Sequence, residues 1–262
     1  MTLTRVFADT DDLADRAAEI FADAIGVALR ERGRTVVVLA GGTTPRAAYD
    51  RLAARLRNGG SPLDGVYWLP CDERWAPVDH PDSNEGMIRQ VLLGPVGAPE
   101  RTILSWQPAS GDPADCAARF AERLAAEPFA AGPDLAILGI GADGHTASLF
   151  PGAVALLHDG REVPVDPDLP ADAAAVLLKG RRGSPLALGI RLTLTAKWLR
   201  MARCVAFLAA GSGKREALAR TLRGDCTAPA AWVRGAADTL FLVDRAAAGP
   251  GPDATGRDVR YA

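Results

Sequence analysis

Four short stretches hold most of the residues in this 262-residue chain that can do chemistry. In Gly139-Ile140-Gly141-Ala142-Asp143-Gly144-His145, a histidine stands two residues after an aspartate in a glycine-rich loop. An imidazole can take a proton from water near neutral pH, and a nearby carboxylate can fix its tautomer. Two duties stand open for Asp143: to orient His145, or to tie down the loop. In Gly41-Gly42-Thr43-Thr44-Pro45, paired glycines let the backbone turn with its N–H groups exposed. The two hydroxyls add donors, and the proline suits a first helical turn, so the stretch can cradle a phosphate. An ordinary strand-to-helix turn would read the same way. Asp72-Glu73-Arg74 puts three charges at the end of an apolar run. Arg74 there can hold an anion, with Asp72 and Glu73 as further candidates. Arg191, and Lys214 in Gly211-Ser212-Gly213-Lys214, are candidate phosphate ligands from the later half, against the plainer reading of surface charges.

Several chemistries lack their motifs. Gly139 to Gly144 matches GxGxxG literally, but Pro151-Gly152 stops the segment before the helix a dinucleotide site requires. No GxxxxGK[ST] loop, GxSxG elbow, HExxH pair or Cys/His cluster is present. We therefore expect no nucleotide cofactor and no metal. With 30 basic against 32 acidic residues, the formal net charge is −2, which lacks the basic excess of a nucleic-acid binder. The longest apolar runs fall well short of the ~18 residues that suggest a membrane span. Asp9, Asp11 and Asp12 occupy the place where a secretory signal needs its apolar core. The four cysteines, at 71, 116, 204 and 226, form no CxxC pair, which points to reduced thiols and a cytoplasmic setting.

The elements that must position these residues are apolar runs alternating with helical stretches. Residues 35–40, 65–71, 134–139, 173–179, 203–209 and 239–244 read as strands. Residues 11–32, 45–57, 113–127 and 214–222 read as helices, and Asp82 or Ser83 can cap another through residue 93. Continuous rather than alternating hydrophobicity predicts strands covered on both faces, hence a mostly parallel sheet with helices on both sides. The fold class is α/β, a single domain over residues 1–247. The tail, residues 248–262, is expected to be disordered or loosely packed. In such sheets ligands sit beyond the carboxyl ends of the strands, where the four stretches fall.

Taken together, the motifs resemble the 6-phosphogluconolactonases. The resemblance is carried by residues 39–45, 71–75 with 82–84, and 139–152, and extends through 191–195, 211–214 and 229–234. It covers roughly residues 10–245, and the 139–152 stretch is the most specific. It implies a Rossmann-like fold shared with the glucosamine-6-phosphate isomerases, and hydrolysis of 6-phospho-D-glucono-1,5-lactone without a cofactor. It also implies that Gly41, Gly42 and Thr43 cradle the phosphate, that Arg191 and Lys214 add positive charge, that Arg74 lies near the sugar, and that His145 is the base. The partner expected is a small sugar phosphate; no membrane, nucleic acid or obligate protein partner is inferred. Two rivals are a sugar-phosphate isomerase or deaminase and a non-catalytic sugar-phosphate sensor. The isomerases carry a carboxylate where Phe150 stands and an aromatic where Arg74 stands, and a sensor has no need of His145.

Overall fold

The computed structural model describes residues 1–59, 63–108, 111–156, 161–169, 175–179 and 189–250. The β-branched and apolar runs become the strands of one six-stranded parallel sheet. Its members are Thr2–Phe7 (β1), Thr35–Leu39 (β2), Val66–Pro70 (β3), Leu135–Gly139 (β5), Cys204–Ala209 (β10) and Asp238–Asp244 (β11), in the order β1-β11-β10-β5-β2-β3. Successive side chains of a strand point to opposite faces, and here both faces are apolar. Val37 and Leu39 enter the core shared with the helices Thr10–Arg32 (α1) and Thr43–Gly59 (α2), through Phe21, Ile25, Tyr49 and Leu52. Val36 and Val38 enter the opposite core, with Phe120 of Pro113–Leu124 (α4) and Leu218 of Arg215–Leu222 (α6). This is why the runs read as continuous rather than alternating.

Helix starts follow their caps. Asp9 accepts from the Asp11 and Asp12 N–H groups to open α1, and Asp112 does the same for α4, with Pro113 in the first turn. Of the two expected caps, Ser83 holds Asn84–Ile88 (α3), which runs on through a wider turn over Arg89–Leu93. The helix expected from Pro45 starts two residues earlier, at Thr43.

A second sheet was not visible in the sequence. Asp72–Arg74 (β4), Val154–Leu156 (β6), Glu162–Pro164 (β7), Ala175–Lys179 (β8) and Arg191–Leu194 (β9) pair antiparallel in the order β4-β9-β8-β6-β7. The run at 173–179, expected in the parallel sheet, lies here instead. One residue, Cys71, separates β3 from β4, so the chain leaves the parallel sheet and joins the second one at once. Strand β1 was likewise not expected. The short helix Arg245–Ala248 (α7) ends on the first residue of the tail, and beyond residue 250 the tail lies outside the described residues. No described helix is long and apolar enough to cross a membrane.

Candidate active site

The carboxyl ends of β2, β5 and β10, neighbours in the parallel sheet, open into a cleft of about 350 Å³ that β4 and β9 flank from the second sheet. From β2 come Gly41, Gly42 and Thr43, the last opening α2. The first N–H groups of a helix have no partner within it and favour an anion. From the loop after β5 comes His145, and from the turn after β10, Lys214.

His145 Nδ1 lies 2.5 Å from Asp143 Oδ1, and the same oxygen accepts from the His145 backbone N–H at 3.1 Å. Burial pushes the Asp143 carboxyl upward, but the hydrogen bond and charge of His145 outweigh it, and the group sits below its ordinary value. An ionised carboxylate only accepts, so in the neutral ring Nδ1 carries the proton and Nε2 the lone pair. Both duties considered for Asp143 are thus met by one oxygen. The bond is possible because residue 141 lacks a side chain: a Cβ there would stand 2.1 Å from His145 Nδ1 and 2.6 Å from Asp143 Oδ1. The loop is closed by Gly141 N–H donating to His145 O at 2.8 Å, and held from outside by Ala230 N–H donating to Gly144 O at 2.9 Å. The Phe150 ring packs against the imidazole, centroids 4.2 Å apart.

On the other wall, antiparallel register sets Arg74 beside Arg191. Burial, and then the neighbouring Arg74 charge, lower the Arg191 guanidinium from its ordinary value. Its Nη1 is buried with no hydrogen-bond partner. Two adjacent guanidinium groups, one with an unmet donor, make a site that calls for an anion. Arg74 is steadied by Asn84 Oδ1 at 2.8 Å and by the Asp82 carbonyl.

Asp72 also faces the cleft, with its oxygens taken up by the protein. Oδ2 accepts from Ser148 Oγ at 2.6 Å, and Oδ1 accepts from Cys71 Sγ at 2.9 Å and Asn84 Nδ2 at 3.1 Å. Glu73, considered beside it, does not line the cleft. It is fully buried and turned toward α3, accepting from the Asn84 and Glu85 N–H groups at 2.8 and 2.7 Å and from Ser83 Oγ at 2.9 Å. Burial raises its carboxyl despite those bonds. Alternation along β4 separates the three charges: Asp72 and Arg74 face one side and Glu73 the other.

The cleft therefore brings together His145, Asp72, Arg74, Gly41, Gly42, Thr43, Arg191 and Lys214, with Asp143 behind the histidine. Sequence reasoning passed over Asn84 and Ser148, which also line it; only their presence in the quoted motifs marked them. Of the other histidines, His80 sits in an exposed loop, and His158 lies outside the described residues. Among the described residues no group of three His, Cys, Asp or Glu side chains is placed to hold a metal ion.

Fold and cleft define an α/β protein with a loop and paired arginines suited to an anion beside a carboxylate-bonded histidine. The chain belongs to the family described as glucosamine-6-phosphate isomerases/6-phosphogluconolactonase, whose model matches residues 8–242. A 6-phosphogluconolactonase of a Synechocystis strain is 34% identical over 244 residues, 90% of this chain and 92% of its own length. The Rattus norvegicus 6-phosphogluconolactonase is 32% identical, covering 94% and 92%. Among solved structures, 6-phosphogluconolactonase from Thermotoga maritima superposes with a TM-score of 0.75 at 27% identity, over 93% of this chain and all of that one. A monomeric glucosamine-6-phosphate deaminase, 19% identical with a TM-score of 0.76, shares the fold over 94% of this chain and 98% of its own.

Proposed function

We infer that this chain hydrolyses 6-phospho-D-glucono-1,5-lactone to 6-phospho-D-gluconate, in the oxidative branch of the pentose phosphate pathway. The observation that carries the reading is the histidine, oriented by Asp143 and covered by Phe150, in one cleft with a phosphate-type loop and paired arginines. A lactone carbonyl is already electrophilic, so a positioned water and a base suffice. His145 Nε2 takes a proton from water as the water oxygen attacks C1. Arg74 neutralises the oxyanion that forms on the former carbonyl oxygen. The intermediate collapses as the C1–ring oxygen bond breaks, and the imidazolium returns the proton to the leaving hydroxyl. The Gly41–Thr43 turn, Arg191 and Lys214 hold the remote phosphate, so that C1 meets the water in a fixed place.

Phe150 also separates this reading from the deaminase that shares the family. An isomerase needs a carboxylate at the place where this chain presents an aromatic ring to the imidazole. Asp72, saturated by Ser148, Asn84 and Cys71, serves the wall rather than a substrate proton. All the residues named here come from one chain. The four cysteines are all free thiols, which fits a reducing cytoplasm. The test is lactone consumption, corrected for spontaneous hydrolysis, run beside turnover of glucosamine 6-phosphate. We expect the first to be accelerated and the second unchanged. An unaccelerated lactone reaction refutes the assignment.

A further inference from the structure

Asn84 joins three parts of the cleft. It is 3% exposed and opens α3 directly behind its Ser83 cap. Its backbone N–H donates to Glu73 Oε1 at 2.8 Å, which fixes where its side chain starts. The amide has only one workable orientation. A guanidinium can only donate, so the end meeting Arg74 Nη1, 2.8 Å away, is Oδ1. The Asp72 carbonyl and carboxylate can only accept, so the end meeting them, at 2.9 and 3.1 Å, is Nδ2. The same amide abuts the phosphate-type loop, since a Cβ on Gly41 would fall 1.8 Å from Asn84 Oδ1.

Arg74 and Asp72 are two residues apart on one strand and so share a face. A cation and an anion placed that way attract one another, and a direct pair would take up the charge the oxyanion needs. In the structure Arg74 meets two neutral oxygens instead, that of Asn84 and the Asp82 carbonyl. We propose that Asn84 is a positioning residue for the lactone reaction: a neutral, two-ended spacer that holds Arg74 toward the cleft and keeps its charge from Asp72. An amide fits, since it offers an acceptor to the cation and a donor to the anion while carrying no charge itself. The proposal rests on the lactonase reading above.

The test is Asn84→Asp, which keeps the size and the contact with Gly41 but sets a carboxylate against Arg74. At about pH 8 kcat should fall about tenfold or more, the scale of a weakened oxyanion donor. KM for the phosphorylated lactone should stay within about threefold, because Arg191 and Lys214 are untouched. The introduced carboxyl would face Asp72 and Arg74, with Glu73 behind the strand and Arg191 beyond Arg74. That carboxylate pairs with Arg74 directly and takes up the charge the oxyanion needs, so the loss should fall in kcat and leave KM nearly unmoved, a split that a general structural defect would not give. Asn84→Ala is the second variant: it removes the spacer without adding a charge, should lose less kcat than Asn84→Asp, and carries the test if the first does not fold. Near-normal kcat in either variant, or a KM that rises as much as kcat falls, overturns the spacer. A parent protein that does not hydrolyse the lactone overturns both the spacer and the reading beneath it.

Discussion

Replacing His145 and Asp143 singly and together gives the sharpest test of how the cleft works. His145→Ala removes the base, whose usual worth is about 10²–10⁴ in rate. Asp143→Asn keeps an oxygen that can accept from Nδ1 but removes its charge. A charge-assisted hydrogen bond is roughly twice as strong as a neutral one, a difference of about 1–1.5 kcal/mol, or about five- to fifteenfold in rate. The His145 and Asp143 side chains are 30% and 40% exposed, so solvent screening favours the lower end of that range. The single losses should therefore differ by an order of magnitude or more. The double variant should be no slower than His145→Ala, because the charge of Asp143 reaches the reaction through the imidazole while Asn at 143 keeps an oxygen for the residue-145 backbone N–H. Asp143 is held below its ordinary value by the hydrogen bond and charge of His145, so it is not the group whose protonation switches the rate. The limb of the pH–rate profile that reports the base should vanish in His145→Ala. The assay is initial-rate lactone consumption at several pH values with the uncatalysed rate subtracted. Retention of near-normal kcat by His145→Ala, or full additivity in the double variant, would refute the reasoning.

Three further outcomes follow from the same geometry. Lys214→Ala and Arg191→Ala should each raise KM for the phosphorylated lactone by about tenfold or more while lowering kcat less, as measured by steady-state kinetics; unchanged KM in both would remove the phosphate from that end of the cleft. Gly141→Ala places a Cβ 2.1 Å from His145 Nδ1, so the imidazole must swing away. Its kcat should approach that of His145→Ala while circular dichroism and melting show a folded protein, and wild-type kinetics would show that the dyad is not the working arrangement. Dialysis against EDTA should leave activity unchanged, and loss restored by one particular metal would reveal a site formed outside the described residues.

The parts of this design that the sequence made legible are local ones. The strands of the parallel sheet are covered on both faces, so Thr35–Leu39 and Cys204–Ala209 stand out as unbroken apolar runs. The His145–Asp143 pair was legible because the two residues lie in one loop, and the cap of α3 because Ser83 adjoins it. The second sheet was not, because β4, β6 and β7 have three residues each and β9 four, too few to show a period. Asp72-Glu73-Arg74 looked like the frayed end of β3, whereas it is a strand of its own.

That hidden strand decides what the charges do. Pairing β4 with β9 brings Arg74 against Arg191, a juxtaposition of residues distant in sequence that no spacing rule anticipates. The same pleat turns Glu73 inward, where it anchors the start of α3 and so delivers Asn84 to the cleft. Residues of one charge run thus divide into a guanidinium facing the cleft, a buried anchor and a wall carboxylate. Placing two cations side by side, with one donor unmet, is unfavourable for the empty protein. On the lactonase reading proposed above, a phosphate or developing oxyanion would relieve that cost, and the free energy held in the Arg74–Arg191 pairing would be recovered on binding or at the transition state. The parallel sheet carries the loop that holds His145 against Asp143, and the short antiparallel sheet carries Arg74 and Arg191, the cations proposed to orient the substrate. The two meet in one core, where Val38 and Leu138 pack with Leu192 and Leu194, and at Cys71, which joins β3 to β4 and accepts from the Leu194 N–H at 2.9 Å.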